Sequence, residues 1–300
     1  MTHGILLLDK PLGLSSNAAV QRVRRAFGRV KAGHTGSLDP LATGMLPICL
    51  GEATKVAGYL LEGDKEYEFT MRFGARTATG DLEGEVVERA GVPDLQARIG
   101  PALPAFLGAI RQIPPMYSAL KRDGQPLYKL ARQGLEVERE ARTLTIRKLE
   151  LLAVHGEEAS LAVTCSKGTY VRTLAEDLAR AIGSCAHLTA LRRTAVAPFP
   201  ANALVTLAEL EADPAAVPLL PADAALPQLV EIRLEADAAR RMGQGQALRL
   251  AATEAPVAGL VRLYTPAGTF LGIGQQDSIE GGGVLIKPVR LFNDLAPSAT

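Results

Sequence analysis

The sequence predicts an α+β protein in two parts, a larger domain over residues 1–228 built on a largely antiparallel sheet and a small C-terminal β-barrel over 229–300. Three observations carry that prediction. Period-two strands and period-3.6 helices are mixed without a regular βαβ rhythm. A run of prolines interrupts the chain near residue 228, and short apolar segments broken by Gly and Pro follow it.

Tyr67, Phe69, Met71 and Phe73 alternate with Glu68, Thr70 and Arg72, so one face of a strand is buried there. Leu161, Val163 and Cys165 repeat the pattern. Ser16 is placed to cap a helix that carries Val20, Val23 and Phe27 on one face and stops at Gly28. A second helix is expected over 169–183, with Val171, Leu174, Leu178 and Ile182 inward and Arg172, Glu176, Asp177 and Arg180 outward. Pro198, Pro200, Pro214, Pro218, Pro221 and Pro227 mark the junction. Beyond it, residues 260–264, 269–273 and 284–286 are apolar runs separated by Thr265-Pro266-Ala267-Gly268 and by Gly281, Gly282 and Gly283, the pattern of strands and tight turns.

At 300 residues the chain exceeds one usual domain, and 47% hydrophobic with 22% charged residues excludes a disordered or fibrous chain. A formal net charge of +1 excludes a protein that coats nucleic acid by charge alone. The distribution is nevertheless polarised: basic residues outnumber acids over 1–60, and acids outnumber Arg233 and Arg240 over 200–240. Cys49, Cys165 and Cys185 are odd in number and widely spaced, which fits neither a disulfide framework nor a zinc site. The early apolar run, residues 5–8, meets Asp9 and Lys10 too soon for a signal peptide or a membrane span. A soluble cytoplasmic protein with no membrane association is expected.

The densest chemical signal is GHTGSLDPLATG at 33–44. Asp39 followed by Pro40 is a respectable helix N-cap, so a structural loop would explain the acid. It does not explain His34, or Gly33 and Gly36 on either side of it, which permit close backbone approach to a bulky ligand. The second signal is CSKGTYVRT at 165–173, where Arg172 enters the first turn of a helix, the wrong end of the dipole for a cation. An anionic partner would offset that, and Asp39 is a candidate; a solvated surface arginine is the plain alternative. Lys65-Glu66-Tyr67 is the third, a tyrosine whose default place is the core with its hydroxyl at the rim.

These pieces, together with LLLDKPLGLSSN at 6–17, KEYEF at 65–69, PPMYSALK at 114–121 and AHLTALRR at 186–193, resemble the TruB family, the bacterial tRNA pseudouridine-55 synthases. The likeness covers about residues 4–200 in order. VLIKPVRLF at 284–292 resembles, more loosely, the small RNA-binding PUA domain. The resemblance implies a pseudouridine synthase catalytic domain with a mixed, mostly antiparallel sheet, an RNA-clamping segment over about 93–145, and a PUA-like barrel. It assigns Asp39 as the catalytic aspartate, Tyr67 as the active-site tyrosine and Arg172 as the arginine paired with that aspartate. His34 would contact the T-loop where the uridine leaves, and Leu191 would line the uracil pocket. Lys10, Pro11, Tyr170 and Asp81 are implied as lining or supporting positions, while Gly80 and Ser37 fall where small residues vary without bearing on activity.

The implied reaction exchanges an N1–C1′ glycosidic bond for a C5–C1′ bond with no net oxidation, hydrolysis or group transfer, so no cofactor or metal is expected. The implied partner is tRNA, bound through its T-arm by a monomer with no obligate protein partner. A carboxylate in an apolar pocket needs a nearby guanidinium to stay charged, and a stacked target nucleotide must be extruded. Tyr117, Lys121, Arg122, Tyr128, Lys129 and Arg132 could clamp the RNA, or simply form a solvated loop. Two other readings are the catalytic subunit of a guide-RNA particle and an RNA-folding chaperone. A glycoside hydrolase would want two flanking carboxylates, and only Asp39 has a matching context.

Overall fold

A computed structural model describes residues 2–122, 124–199, 204–250, 258–279 and 283–292; Pro200, Gly281, Gly282 and the chain beyond 292 lie outside the described residues. The chain runs β1 (Gly4–Lys10), α1 (Ser16–Ala26), β2 (Ala32–His34), β3 (Ala42–Leu50), α2 (Ala57–Glu62), β4 (Lys65–Phe73), β5 (Ala75–Thr77) and β6 (Val86–Arg89). It continues through α3 (Leu95–Ala102), β7 (Gly108–Gln112), β8 (Lys121–Arg122), β9 (Gln125–Pro126), α4 (Leu127–Ala131), β10 (Arg142–His155), β11 (Glu158–Cys165), α5 (Val171–Ala181), β12 (Ala186–Val196), β13 (Val205–Thr206) and α6 (Leu207–Ala212). The last section holds β14 (Val230–Arg233), α7 (Ala236–Gly243), β15 (Leu248–Leu250), β16 (Gly259–Tyr264), β17 (Phe270–Ser278) and β18 (Val284–Leu291).

Among the described residues, nine strands form one sheet in the order β13-β1-β3-β12-β4-β11-β10-β7, with β2 added on β3. Only β1 with β13 and β3 with β12 pair in parallel, so the sheet is mixed and mostly antiparallel. The alternation in β4 is seen as burial of Phe69, Met71 and Phe73 beneath the helices, with Glu66, Glu68 and Arg72 exposed on the other face. Residues 5–8, excluded as a membrane segment, become the middle of β1. There Leu6 and Leu8 pack with Ile48 and Leu50 on one face, while Ile5 and Leu7 pack with Met45 and Cys49 on the other. A strand buried on both faces reads as a continuous apolar run, and β1 does.

Two helix details differ from the sequence reading. Ser15, not Ser16, caps α1 by accepting from the Ala18 amide at 3.2 Å. The Ser16 hydroxyl instead turns inward, accepting from the Leu38 amide at 2.7 Å and donating to the Leu38 carbonyl at 3.0 Å, which ties the helix start to the 33–44 loop. In α5 the inward face is as expected, but Arg172 is buried, with 5% exposure, instead of outward. The cause is its set of polar partners, described below.

The second sheet has the order β14-β16-β17-β18-β15, with β14 parallel to β16 and the rest antiparallel. Among the described residues this five-stranded sheet is a half-barrel, the small C-terminal β-unit expected. Tyr264, Phe270, Ile273 and Phe292 pack into the same apolar cluster as Ile5, Leu7 and Met45, so this sheet shares a core with β1 and β3. Tyr264 donates to Asp223 at 2.6 Å and Lys55 to the Leu291 carbonyl at 2.7 Å across the same contact.

Close approach of β3 to β12 depends on Gly44. Its φ is +98°, and a Cβ there would sit 2.2 Å from the Arg193 carbonyl oxygen, so the parallel pairing of Gly44 with Arg193 excludes any side chain. Gly44→Ala is expected to lower unfolding free energy by about 3 kcal/mol through strain and strand displacement. Urea unfolding checks this, and an unchanged midpoint would show that the two strands can part at no cost.

Candidate active site

The loop after β2 is fastened at each step. Thr35 donates its amide to the Pro47 carbonyl at 3.1 Å, the Gly36 carbonyl accepts from Arg193, Leu38 is held by Ser16, and the Pro40 carbonyl accepts from the Gly13 amide at 2.8 Å. The Asp39 carbonyl accepts from the Ala42 amide at 3.0 Å, a turn that leads straight into β3. No helix follows, so the N-cap reading of Asp39 fails. Its carboxylate is left free to face a cavity of about 440 Å³ with 44% of the side chain exposed.

Across the cavity, Arg172 places Nη2 3.0 Å from Asp39 Oδ2. The same guanidinium donates to the Thr79 carbonyl at 2.6 Å and the Tyr117 carbonyl at 2.7 Å, and its Nε lies 3.9 Å from Asp81 Oδ2. Four partners on three segments explain why a cation in the first turn of α5 turns inward. Asp81 is itself buried and accepts from the Glu83 amide at 3.0 Å and from Thr79. It therefore acts on Arg172 from behind and does not line the cavity.

The floor and walls come from strand register. Pairing of β12 with β4 sets Leu191 opposite Phe69 and Arg193 opposite Tyr67. Tyr67, Leu191, Tyr170, Lys65 and Arg193 all line the cavity beside Asp39 and Arg172. Burial raises the Tyr67 hydroxyl above its ordinary range, and the neighbouring Arg193 opposes that rise. Burial likewise raises Tyr170.

Of the residues singled out in the sequence, Asp39, Tyr67, Arg172, Leu191 and Tyr170 meet at this cavity. Lys10, Pro11, His34 and Asp81 do not line it. Lys10 is buried beneath the loop, donating to the Pro11 carbonyl at 2.9 Å and the Leu14 carbonyl at 2.6 Å, so it shapes the turn that holds Pro40. Pro11 lies on the surface. His34 ends β2, opposite Ile48, and its buried Nδ1 has no hydrogen-bond partner among the described residues. Burial and Arg193 lower its pKa, which favours the neutral ring. Gly80 is more constrained than the resemblance implied. Its φ is +75°, and a Cβ would meet Glu176 Oε1 at 2.9 Å and Arg172 Cβ at 3.3 Å, so a larger residue presses on the arginine. Sequence reasoning passed over Arg193 and the side chain of Lys65. Arg193 stood in the AHLTALRR motif, but a charged residue on an alternating strand reads as solvent-facing until its partners are known.

Three family profiles cover the chain in order. "TruB family pseudouridylate synthase (N terminal domain)" matches residues 24–171, "tRNA pseudouridylate synthase B C-terminal domain" matches 172–226, and "Pseudouridine synthase II TruB, C-terminal" matches 231–292. A protein named tRNA pseudouridine synthase B from Ectopseudomonas mendocina (strain ymp) is 54% identical over 91% of this chain and 90% of its own length. The chain belongs to the TruB pseudouridine synthase family. A second TruB relative of the same name, from Aromatoleum aromaticum (strain DSM 19018 / LMG 30748 / EbN1), is 53% identical over 99% of this chain and 94% of its own. Among solved structures, one titled "Structure of H/ACA RNP bound to a substrate RNA containing 2'-deoxyuridine" superposes with a TM-score of 0.70 at 24% identity, covering 97% of this chain and 85% of that one, a likeness of fold. Among the described residues of this TruB chain no helix is long and apolar enough to cross a membrane, and no group of three or more His, Cys, Asp or Glu could hold a metal ion.

Two buried ammonium groups give the TruB site a pH signature. Burial lowers both Lys10 and Lys65 from 10.5 to about 8. Their folded pKa lies below the unfolded value, so between about pH 8 and 10.5 the unfolded chain binds more protons and these two groups make stability rise with pH. Below pH 8 both are charged in either state and that gain is absent. In an NMR titration of the lysine ε-carbons, two resonances are expected to move near pH 8, one lost in Lys10→Met and the other in Lys65→Met. Titration of all lysines near 10.5 would mean that neither is buried in solution.

Proposed function

We propose that this protein is a tRNA pseudouridine synthase that isomerises the T-loop uridine, with Asp39 as the residue that acts on the substrate. The single observation that carries this is the pairing of a half-exposed carboxylate with a buried arginine in a cavity sized for a nucleobase. The relatives' shared name supplies the reaction, and the cavity supplies a place for it.

The chemistry asks three things of the chain. One group must loosen uracil from its sugar; Asp39 does so by attack on sugar or base, or by taking a sugar proton. Arg172 cannot leave, since its donors are also committed to Thr79 and Tyr117, so the carboxylate meets its counter-charge without reorganisation. The detached ring must then be held while it turns, which is the task of the Tyr67 and Leu191 walls. Finally C5 must lose a proton once the C5–C1′ bond has formed, and the Tyr67 hydroxyl is the group we place there.

Access requires extrusion of the nucleotide from its stack, and we assign His34, at the end of β2, the task of bracing the vacancy. The segment after β7 reaches over the site, since Tyr117 contributes its carbonyl to Arg172. Its exposed Lys121 and Arg122, and Arg132 stacked 5.6 Å from the Tyr128 ring, suit phosphate contact and stacking on RNA. We read residues 229–300 as a PUA-like unit that makes a second RNA contact, with 1–228 as the catalytic unit.

Asp39→Asn is expected to abolish T-loop pseudouridine, a loss of about 10⁴-fold or more, while tRNA binding stays within a few fold. Incubation of unmodified tRNA with purified protein, followed by mapping of new pseudouridine, measures both. An amide variant that turns over at the native rate would exclude Asp39 from the chemistry. Tyr67→Phe is expected to bind tRNA normally and fail to complete the isomerisation; full conversion by that variant would remove the hydroxyl from the mechanism.

A further inference from the structure

Arg193 is 1% exposed and lies under the cavity, opposite Tyr67 on one side of β12 and opposite Gly44 of β3 on the other. Its Nε donates to the Met45 carbonyl at 2.7 Å and its Nη2 to the Gly36 carbonyl at 3.1 Å. One planar group thus joins the start of β3, the loop that carries Asp39 and the strand that carries Tyr67. Among the described residues, no carboxylate lies within ion-pair distance of it; its partners are two carbonyls and the Tyr67 hydroxyl, and a buried guanidinium without a counter-charge is unfavourable. Two carbonyls could be satisfied by a neutral amide. What the guanidinium adds is a positive field, felt at Lys10, His34, Lys65 and Tyr67.

We propose that Arg193 is a positioning residue for the isomerisation, one that fixes the Asp39 loop against Tyr67 and presents a buried positive charge to the Tyr67 oxygen. The proposal rests on the function argued above. Its chemical content is a proton balance. Uracil leaves the sugar with the N1–C1′ electron pair and needs one proton at N1; after the C5–C1′ bond forms, the C5–H bond breaks, its pair restores the ring double bond, and one proton must go. A tyrosine that gives its proton to N1 and takes the one from C5 returns to its starting state with atoms and electrons balanced. The phenolate formed between these events is an anion, and it sits beside Arg193. Of the other groups facing Tyr67, Cys165 on β11 and Asp39 on the loop work against an anion there, and burial does so most strongly. Arg193 is the compensating charge.

The test uses Arg193→Met and Arg193→Lys in single-turnover assays with full-length tRNA whose target uridine carries hydrogen or deuterium at C5. Loss of the charge in Arg193→Met is expected to slow conversion by about thirtyfold, with tRNA affinity unchanged within about twofold. Forming the phenolate by proton transfer to N1 then becomes the slow step, and the phenolate, no longer stabilised, is the stronger base at C5, so the solvent isotope effect in D2O rises above that of the native enzyme while the C5 isotope effect does not. Arg193→Lys keeps the charge but cannot fork to two carbonyls, so a smaller slowing with the native isotope effect is expected, and this variant carries the test if the Met variant does not fold. A native rate in either variant overturns the proposal, as does a slow Met variant whose solvent isotope effect is unaltered, which is what a purely structural arginine would give. Native protein and Asp39→Asn are run alongside. Failure of the native protein to form pseudouridine sinks the proposed function itself, whereas native activity with an indifferent Arg193 sinks only this inference.

Discussion

The site is organised by one contact, the ion pair between Asp39 and Arg172. Its two ends are unequal: the carboxylate is nearly half exposed, whereas the guanidinium is almost wholly removed from water. A buried cation is tolerable only when its donors are occupied. Arg172 meets that condition with two backbone carbonyls and a second acid, Asp81, behind it. The arrangement separates duties. Asp81, Thr79 and Tyr117 hold the cation still, which leaves Asp39 the one partner of Arg172 that faces the cavity with room for a substrate.

That contact could not form unless the sheet first brought distant segments to one place. β3, β12 and β4 lie side by side and bring together the loop before β3, which ends at Leu41, and the start of α5 at Val171, 130 positions further on. The parallel pairing of β3 with β12 is the step that matters, because it sets the exit of the Asp39 loop beside Leu191 and Arg193. Glycine at position 44 permits it. The antiparallel pairing of β12 with β4 then fixes Tyr67 across from Arg193 with no freedom of register, since a slip of one residue would turn Tyr67 to the solvent face.

Much of this was legible in the chain, for reasons that differ from residue to residue. The alternation of β4 and β11 and the apolar face of α5 are local patterns, and local patterns survive folding. Asp39, His34 and their glycines announced a loop with a task because no packing role accounts for that composition. The inward turn of Arg172 was only a possibility in sequence, since its reason, four partners on three segments, is entirely non-local. Arg193 was missed on the same ground. Its neighbours in sequence are polar, and the carbonyls that accept from it belong to residues about 150 positions away. The small C-terminal β-unit was legible from apolar runs and turns, which specify its strands but not the order in which they pair.

The second sheet packs against the first, and that contact has a physical consequence. Its apolar residues Tyr264, Phe270 and Phe292 are covered by Ile5, Leu7 and Met45 of the larger sheet, and the Tyr264 and Phe270 rings meet at a tilt, centroids 5.4 Å apart, within that contact. Met45 connects the two levels of organisation. Its side chain enters the shared core, and its carbonyl accepts from Arg193 beneath the cavity. A shift of the C-terminal sheet would therefore be transmitted through β3 to the guanidinium that holds the Asp39 loop. Packed interiors resist such shifts, so the second sheet is held at a fixed offset from the cavity.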